Sequence, residues 1–467
     1  MGLGFGFGFG IGLSPSGTLS EQKLAYGVER DITTRTKLWT RVDPAALGKT
    51  LPIQALIRRY IENFDGSFAY WLYPNDSTKK LDGSAADLSG ATGNVRLYVP
   101  GFYRKETLVG NKLKRMYSLY HIPGFIYIPP FSIDPWFGTY DNIVNRAACV
   151  SSLQWNADGT IMRDGTTDLP VFTANAAQFR GGSNNATLDG TYRSHIGMAR
   201  TSVSQADVSN KCSSLGTHIG IYRKMVILAE LYTLEYANND IQEAYNPVLT
   251  ANGYRQGGLG NGPAVADTEW NTHNGYNPFV PNGVTAKLGN KSGVVNYKIK
   301  NWANTGVDKT VSCTSWRGFE NWYQYLWTFC RDAWVYKQTA GEGGKNLLYE
   351  CIDTSMLAAP ASDALPAVPI GYNLISNQLP LTSGYGLSEI LSGNGEILPA
   401  NNNGSPVEGL CDYYWTNTDT GWFMILLTGS SNRGASCGLR HAVTYYRPAS
   451  AYAHVGFRQS RNNPPVG

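Results

Sequence analysis

The sequence predicts an α+β protein made mostly of short strands and loops, with a small β-rich N-terminal domain ahead of a much larger C-terminal unit. Glycine fills 52 of the 467 positions, aromatic residues make up 12% and charged residues only 16%. That balance favours turn-punctuated sheets over a helical bundle. One long segment, 221–238 (IYRKMVILAELYTLEYAN), repeats apolar residues at spacings of three and four and so predicts a helix. The other apolar runs are short and bounded by Gly, Asn, Asp, Ser or Pro.

Taken in order, residues 1–13 (MGLGFGFGFGIGL) place glycine at every second position. An extended chain of this kind has one bare face and one apolar face, which it cannot bury alone. Phe5, Phe7, Phe9 and Ile11 are therefore expected to anchor the chain in a partner. Residues 14–116 read as the small β-rich domain. Within it, 67–73 and 94–99 have strand composition, separated by Pro74-Asn75-Asp76 and Asp82-Gly83-Ser84 turns, while 52–62 (PIQALIRRYIE) has helical spacing. The larger unit spans 117–467. It holds the 221–238 helix, the polar loops 252–262 and 272–283, a segment 315–336 with four tryptophans, and short strands from about 385 onward.

Bulk properties exclude several functions. The net charge of +4 is slight, and no basic block beyond 112–115 offers a polyanion groove, so no nucleic-acid partner is expected. The seven cysteines are scattered, without the spacing of a zinc site, and read as reduced, mostly buried thiols. No metal or cofactor is expected. No run approaches 18 apolar residues, so no membrane span is expected, and residues 1–13 lack the basic start of a signal peptide. Catalytic patterns are weak. Asp412, His441 and Ser430 can be drawn as a triad but lack a GxSxG elbow, and the glycines at 257–262 lack the Lys-Ser/Thr of a phosphate loop. No enzyme is expected.

The segment 421–458 (GWFMILLTGSSNRGASCGLRHAVTYYRPASAYAHVGFR) is the most informative. It opens on an apolar strand, passes through small residues, and ends in a tract of Tyr, His, Arg and Ser with no Asp, Glu, Lys or Gln. Rigid amphipathic side chains of this kind dominate antibody-like contact surfaces. Phe423, Leu426, Val455 and Phe457 are expected inside. The expected contact residues are Tyr413, Trp415, Asn432, Arg440, His441, Tyr445, Tyr446, Arg447, Tyr452 and His454. Their rings would stack on a ligand, and Arg440 or Arg447 would offer forked donors to acidic groups.

Several motifs carry a family resemblance. Trp316-Arg317-Gly318-Phe319-Glu320-Asn321 resembles the segment before a Trp-rich strand pair in C-type lectin folds of the formylglycine-generating-enzyme type. Arg433-Gly434-Ala435, Arg440, Arg447-Pro448 and Val455-Gly456-Phe457-Arg458 resemble that fold's closing pattern. Tyr26-Gly27-Val28-Glu29, Leu51-Pro52-Ile53-Gln54 and the segments 189–193, 252–260 and 274–279 add to it. Within this superfamily the chain looks most like variable proteins of diversity-generating retroelements and the related fibre proteins of gut bacteriophages. The paired reactive cysteines of the formylglycine-generating enzymes are missing around Cys330 and Cys437, which argues against their activity.

The resemblance implies a C-type lectin-like domain over 117–467 with a variable-type face at 421–458. It also implies a virion protein, forming a homotrimer, that binds a host cell-surface receptor (glycan or protein) and docks on other virion proteins through its N-terminus. Diversification in such families randomises adenines of AAY codons, which cannot yield Lys, Glu, Gln, Trp or Met. Trp422 and Met424 must then belong to the framework. The other function open at this stage is a purely structural head-fibre, decoration or tail-adaptor protein.

Overall fold

In the computed structural model, three sheets hold most of the strand residues among the described residues and share a core with one long helix. The described residues are 24–42, 45–151, 153, 155–156, 161, 178–182, 198–245, 280–299, 309–323, 325–357 and 368–465. Phe5, Phe7, Phe9 and Ile11 lie outside them, as do the motif segments 189–193, 252–260 and 274–279. The architecture is α+β with strands predominating.

A five-stranded sheet has the order Thr40–Arg41, Tyr26–Asp31, Lys112–Ser118, Phe102–Val109, Ile126–Ile128. A six-stranded sheet runs Ser460–Asn462, Phe131–Ile133, Gly93–Val99, Arg58–Asn63, Phe68–Tyr73, Asp76–Lys80. The chain end thus pairs with a sheet otherwise built from the first third of the sequence. The largest sheet, eight-stranded, centres on Trp327–Lys337, which pairs with Asn346–Cys351 on one side and Gly421–Leu427 on the other. Beyond Gly421–Leu427 come Ala442–Tyr446, Tyr413–Trp415 and Gly384–Tyr385.

The helix Tyr222–Tyr236 realises the expected 221–238 segment. The fold buries 12 of the helix's 15 residues, Lys224 and Glu230 among them. Its N-cap residue Ile221 has no side chain able to cap, so the strand behind it supplies one: Asp332 accepts the N–H groups of Tyr222 (2.8 Å) and Arg223 (3.1 Å). The helix lies in the largest apolar cluster, with Tyr26, Val28 and Leu97 from one end of the chain and Ile425, Leu427 and Ala442 from the other. The boundary drawn between 116 and 117 falls inside the strand Lys112–Ser118, and residues from both sides share this core.

The expected helix over 52–62 needs correction. Only Pro52–Ala55 is helical, and Arg58–Asn63 is a strand flanked by Gly93–Val99 and Phe68–Tyr73. Arg58, Arg59 and Glu62 look like the wet face of a helix. In the fold Arg59 is fully buried, donating to the Gly318 carbonyl (2.7 Å), and Glu62 pairs with buried Arg96 (3.4 Å) and with Arg461 (3.2 Å). Strand pairing and these partners override the local helical pattern.

Charge is sparse in the sequence but concentrated inside. Arg30, Arg104, Arg115, Glu106, Glu230 and Glu389 form a buried network between the five-stranded sheet, the helix and the Ser388–Glu389 strand. All seven cysteines are free and buried. Burial pushes their thiols up, Cys351 to about 11 and Cys149, Cys313, Cys330 and Cys437 well above the ordinary 9.0. No helix among the described residues is long and apolar enough to cross a membrane.

Candidate binding face

The strand Gly421–Leu427 separates two cores. Ile425 and Leu427 point into the helix-bearing cluster, whereas Met424 and Leu426 point into a second cluster with Trp327, Phe329 and Trp334. Phe423, Leu426, Val455 and Phe457 are each 0% exposed, as their apolar character indicated. Trp422 and Met424 are buried too, which suits the framework role set out for them.

Next to this strand the register slips. Leu427 faces Ala442 and Leu426 faces Val443, yet Met424 faces Tyr446, leaving one extra residue at Thr444-Tyr445. Successive side chains of a regular strand point to opposite faces, and a bulge breaks that alternation. Tyr445 and Tyr446 accordingly both pack on the second cluster, half-buried, with ring centroids 4.7 Å apart. Tyr446 lies 5.2 Å from Tyr452, and Tyr452 stacks on His454 at 5.3 Å and 15°. Tyr452 is 43% exposed, the most open ring of the group.

The neighbouring strand Tyr413–Trp415 alternates normally. Tyr414 points inward, where its hydroxyl accepts a hydrogen bond from Thr444 (3.0 Å). Tyr413 and Trp415 turn the other way, 4.5 Å apart, and Trp415 joins Tyr445 and Tyr446 on the second cluster. Tyr385 adds a ring 4.9 Å from Tyr413, and the Arg433 guanidinium sits 5.2 Å above Trp415. The result is a surface of half-buried aromatic rings on one side of a sheet. Tyr385 and Arg433 were missed in the sequence: Tyr385 is far along the chain from Tyr413, and Arg433 stood out only as part of the closing pattern.

Two expected contact residues are inside and must be withdrawn. His441 is 0% exposed; its Nε2 accepts the Trp415 indole N–H (3.1 Å), and its ring packs edge-on against Trp327. Burial, with Arg433 nearby, holds its pKa well below the ordinary 6.5, so the ring is neutral and works as an acceptor under Trp415. Arg440 is 3% exposed and donates to Thr233 of the helix (3.0 Å). Arg447 is half-buried over the Phe423 ring (4.4 Å), with donors committed to the Trp422 and Thr420 carbonyls (3.4 and 3.3 Å). It braces the strand end rather than presenting an open fork. The side chain of Asn432 lies outside the described residues.

His454 remains on the face. Burial first, then Arg433, lowers its pKa to about 4, so it is neutral near pH 7 and faces the Tyr446 hydroxyl at 3.3 Å. The loop carrying it is tied down by main-chain bonds: Trp327 donates to the His454 carbonyl (2.9 Å) and Ser202 to the Tyr452 carbonyl (3.0 Å). The rings therefore sit on a fixed backbone.

Beneath the face, Asp412 is 4% exposed and accepts the Arg440 backbone N–H at 2.8 Å. A Cβ at position 438 would come within 2.1 Å of its carboxylate oxygen, so a larger residue at Gly438 would push this carboxyl aside. Burial pushes the Asp412 pKa from 3.8 up to about 8, against the lowering effects of the Arg440 N–H and charge. The carboxyl thus keeps its proton in the fold while the unfolded chain loses it. Its contribution to stability is complete below pH 3.8 and is lost as pH rises toward 8, at about 1.4 kcal/mol per pH unit. Asp412→Asn is expected to gain stability relative to the parent between pH 4 and pH 8 in denaturant titrations. Parallel pH profiles for the two proteins would contradict the assignment.

Among the described residues no group of three His, Cys, Asp or Glu side chains is placed to hold a metal ion. Two of the motifs behind the family resemblance meet in the fold. Arg458 donates to the carbonyls of Glu320 (2.7 Å) and Asn321 (3.1 Å), and its guanidinium lies 4.2 Å from the Phe137 ring and 4.4 Å from Phe319. Compared with known proteins, the chain matches no family model and no curated protein.

Proposed function

We propose that this chain is a receptor-binding fibre protein of a bacteriophage particle, and that its C-terminal part, a C-type lectin-like unit of the formylglycine-generating-enzyme type, turns the aromatic face toward the host surface. The observation that carries the reading is the bulge at Thr444-Tyr445, which sets Tyr445 and Tyr446 on one face beside Trp415, with Tyr452 and His454 alongside. Aromatic rings with few rotatable bonds on a fixed backbone lose little entropy on binding, and they suit sugar rings or grooves on a protein receptor.

The same geometry fits a diversifiable surface. Framework residues of the tract, Trp422, Met424, Val455 and Phe457, are buried, whereas Tyr445, Tyr446, Tyr452 and His454 can change without emptying the core. The chain acts here as a binding protein and not as an enzyme. It is carried on the virion as a homotrimer, docked on other virion proteins through residues 1–13. Antibody fragments raised against the loop 447–454 should decorate intact particles and block adsorption to host cells. Decoration that leaves adsorption unchanged would mark a structural fibre instead.

A further inference from the structure

Away from the aromatic face, a cavity of about 320 Å3 opens where the edge strand Ile126–Ile128, the first turn of the helix Tyr222–Tyr236 and the chain end at Asn462-Asn463 meet. Its volume lies within the range of small-ligand sites, which starts at roughly 300 Å3. The wall contains three cations, Arg104, Arg223 and Lys224, and no Asp or Glu.

The two arginines are fully engaged. Arg104 donates to Glu230 (2.7 and 3.1 Å), Glu106 (3.2 Å) and the Gly393 carbonyl (3.0 Å). Arg223 is paired with Glu350 and Glu396 and also donates to the Asn394 and Gly395 carbonyls. Lys224 differs. It is 7% exposed, and among the described residues its ammonium makes no hydrogen bond and no ion pair. The nearest opposite charges, Asp332 and Glu350, are already bound to the helix N-terminus and to Arg223. Burial lowers the Lys224 pKa despite both acids. A buried ammonium with no direct hydrogen bond or ion pair is costly even in the field of two carboxylates, and such a group marks a place where a ligand can supply a contacting anion. Around it the wall is mainly apolar, with Asn394, Asn462 and Asn463 as its uncharged polar residues, and it leaves Ile352 63%, Tyr127 52% and Ile126 45% exposed.

We infer that this cavity binds a small organic monocarboxylate, its anionic group on Lys224 and its apolar body against Ile128, Phe131 and Ile227. A phosphate-sized ion would leave the apolar wall unused, and a neutral apolar ligand would leave the ammonium unpaired.

Calorimetric titration of the full chain with 4-phenylbutyrate tests this, with 4-phenylbutyramide and glucuronate as comparison probes. Saturable binding of 4-phenylbutyrate is expected, weakened roughly tenfold or more for the amide, which lacks the charge. Glucuronate, with the charge but a polar body, should also bind more weakly. Lys224→Met should cause a loss like that of the amide, with circular dichroism checking that the variant, whose buried Asp332 loses the favourable Lys224 charge, is folded. Should that variant fail to fold, Ile352→Trp at the exposed mouth provides a second check, with weaker binding of 4-phenylbutyrate expected. The inference is overturned if the parent shows no saturable binding, if the amide or glucuronate binds as tightly, or if a folded Lys224→Met, or Ile352→Trp in its place, binds unchanged.

Discussion

Phe457→Ala is expected to lower stability by about 3–5 kcal/mol, the range for removing a buried aromatic ring. The ring is 0% exposed, sits 5.7 Å from Tyr140 and packs on the backbone of Gly138, whose N–H donates to the Phe457 carbonyl at 2.8 Å. A Cβ at position 138 would fall 2.2 Å from the ring, so ring and glycine are matched. This match makes the prediction sharper. Gly138→Ala alone should destabilise, but it should add little in a Phe457→Ala background, because the atoms it strikes are gone. Equilibrium unfolding of the two single variants and the double variant reads this out. Additive losses would show that the two positions do not share one packing site.

Glu389→Ala is expected to cost a similar amount, about 3–5 kcal/mol, for an electrostatic reason. Glu389 is 2% exposed and pairs with Arg30 (3.3 Å) and Arg115 (3.2 Å), which flank the Trp39 ring at 4.9 and 5.3 Å. Burial alone would raise its pKa, but Arg115, Arg30 and Arg440 outweigh burial and hold it below the ordinary 4.5. A depressed carboxyl contributes stability above the unfolded pKa of 4.5 and loses it as pH falls through the folded value. The destabilisation should therefore be full at pH 7 and shrink on acidification. An equal loss at pH 7 and in strong acid would point to lost packing rather than a lost counter-charge.

How far the sequence could be read depended on how local the signal was. Phe68–Tyr73, Gly93–Val99 and the helix Tyr222–Tyr236 follow from patterns within the segment itself. Arg58–Asn63 did not, because its flanking strands and the partners of Arg59 and Glu62 lie far along the chain. The aromatic character of the face was plain in Tyr445, Tyr446, Tyr452 and His454. The bulge that sets two neighbouring tyrosines on one side was invisible, since it exists only relative to Met424 and Leu426 on the next strand. Residue type also misled at Arg440 and His441. Polar groups amid tyrosines suggest a surface, but the helix hydroxyl of Thr233 and the Trp415 indole satisfy them inside. The buried network of Arg104, Arg115, Glu230 and Glu389 joins distant segments in the same way.

Recognition through the aromatic face is tested most directly by replacing Tyr445 and Tyr452 together with alanine. Both rings border Tyr446 without carrying its contact to His454. Aromatic hot spots commonly contribute about 2 kcal/mol or more each, so the double variant should adsorb to host cells at least about a hundredfold more weakly than the parent. Its melting temperature should change far less than that of Phe457→Ala. Adsorption equal to the parent by a folded double variant would contradict the receptor-binding account.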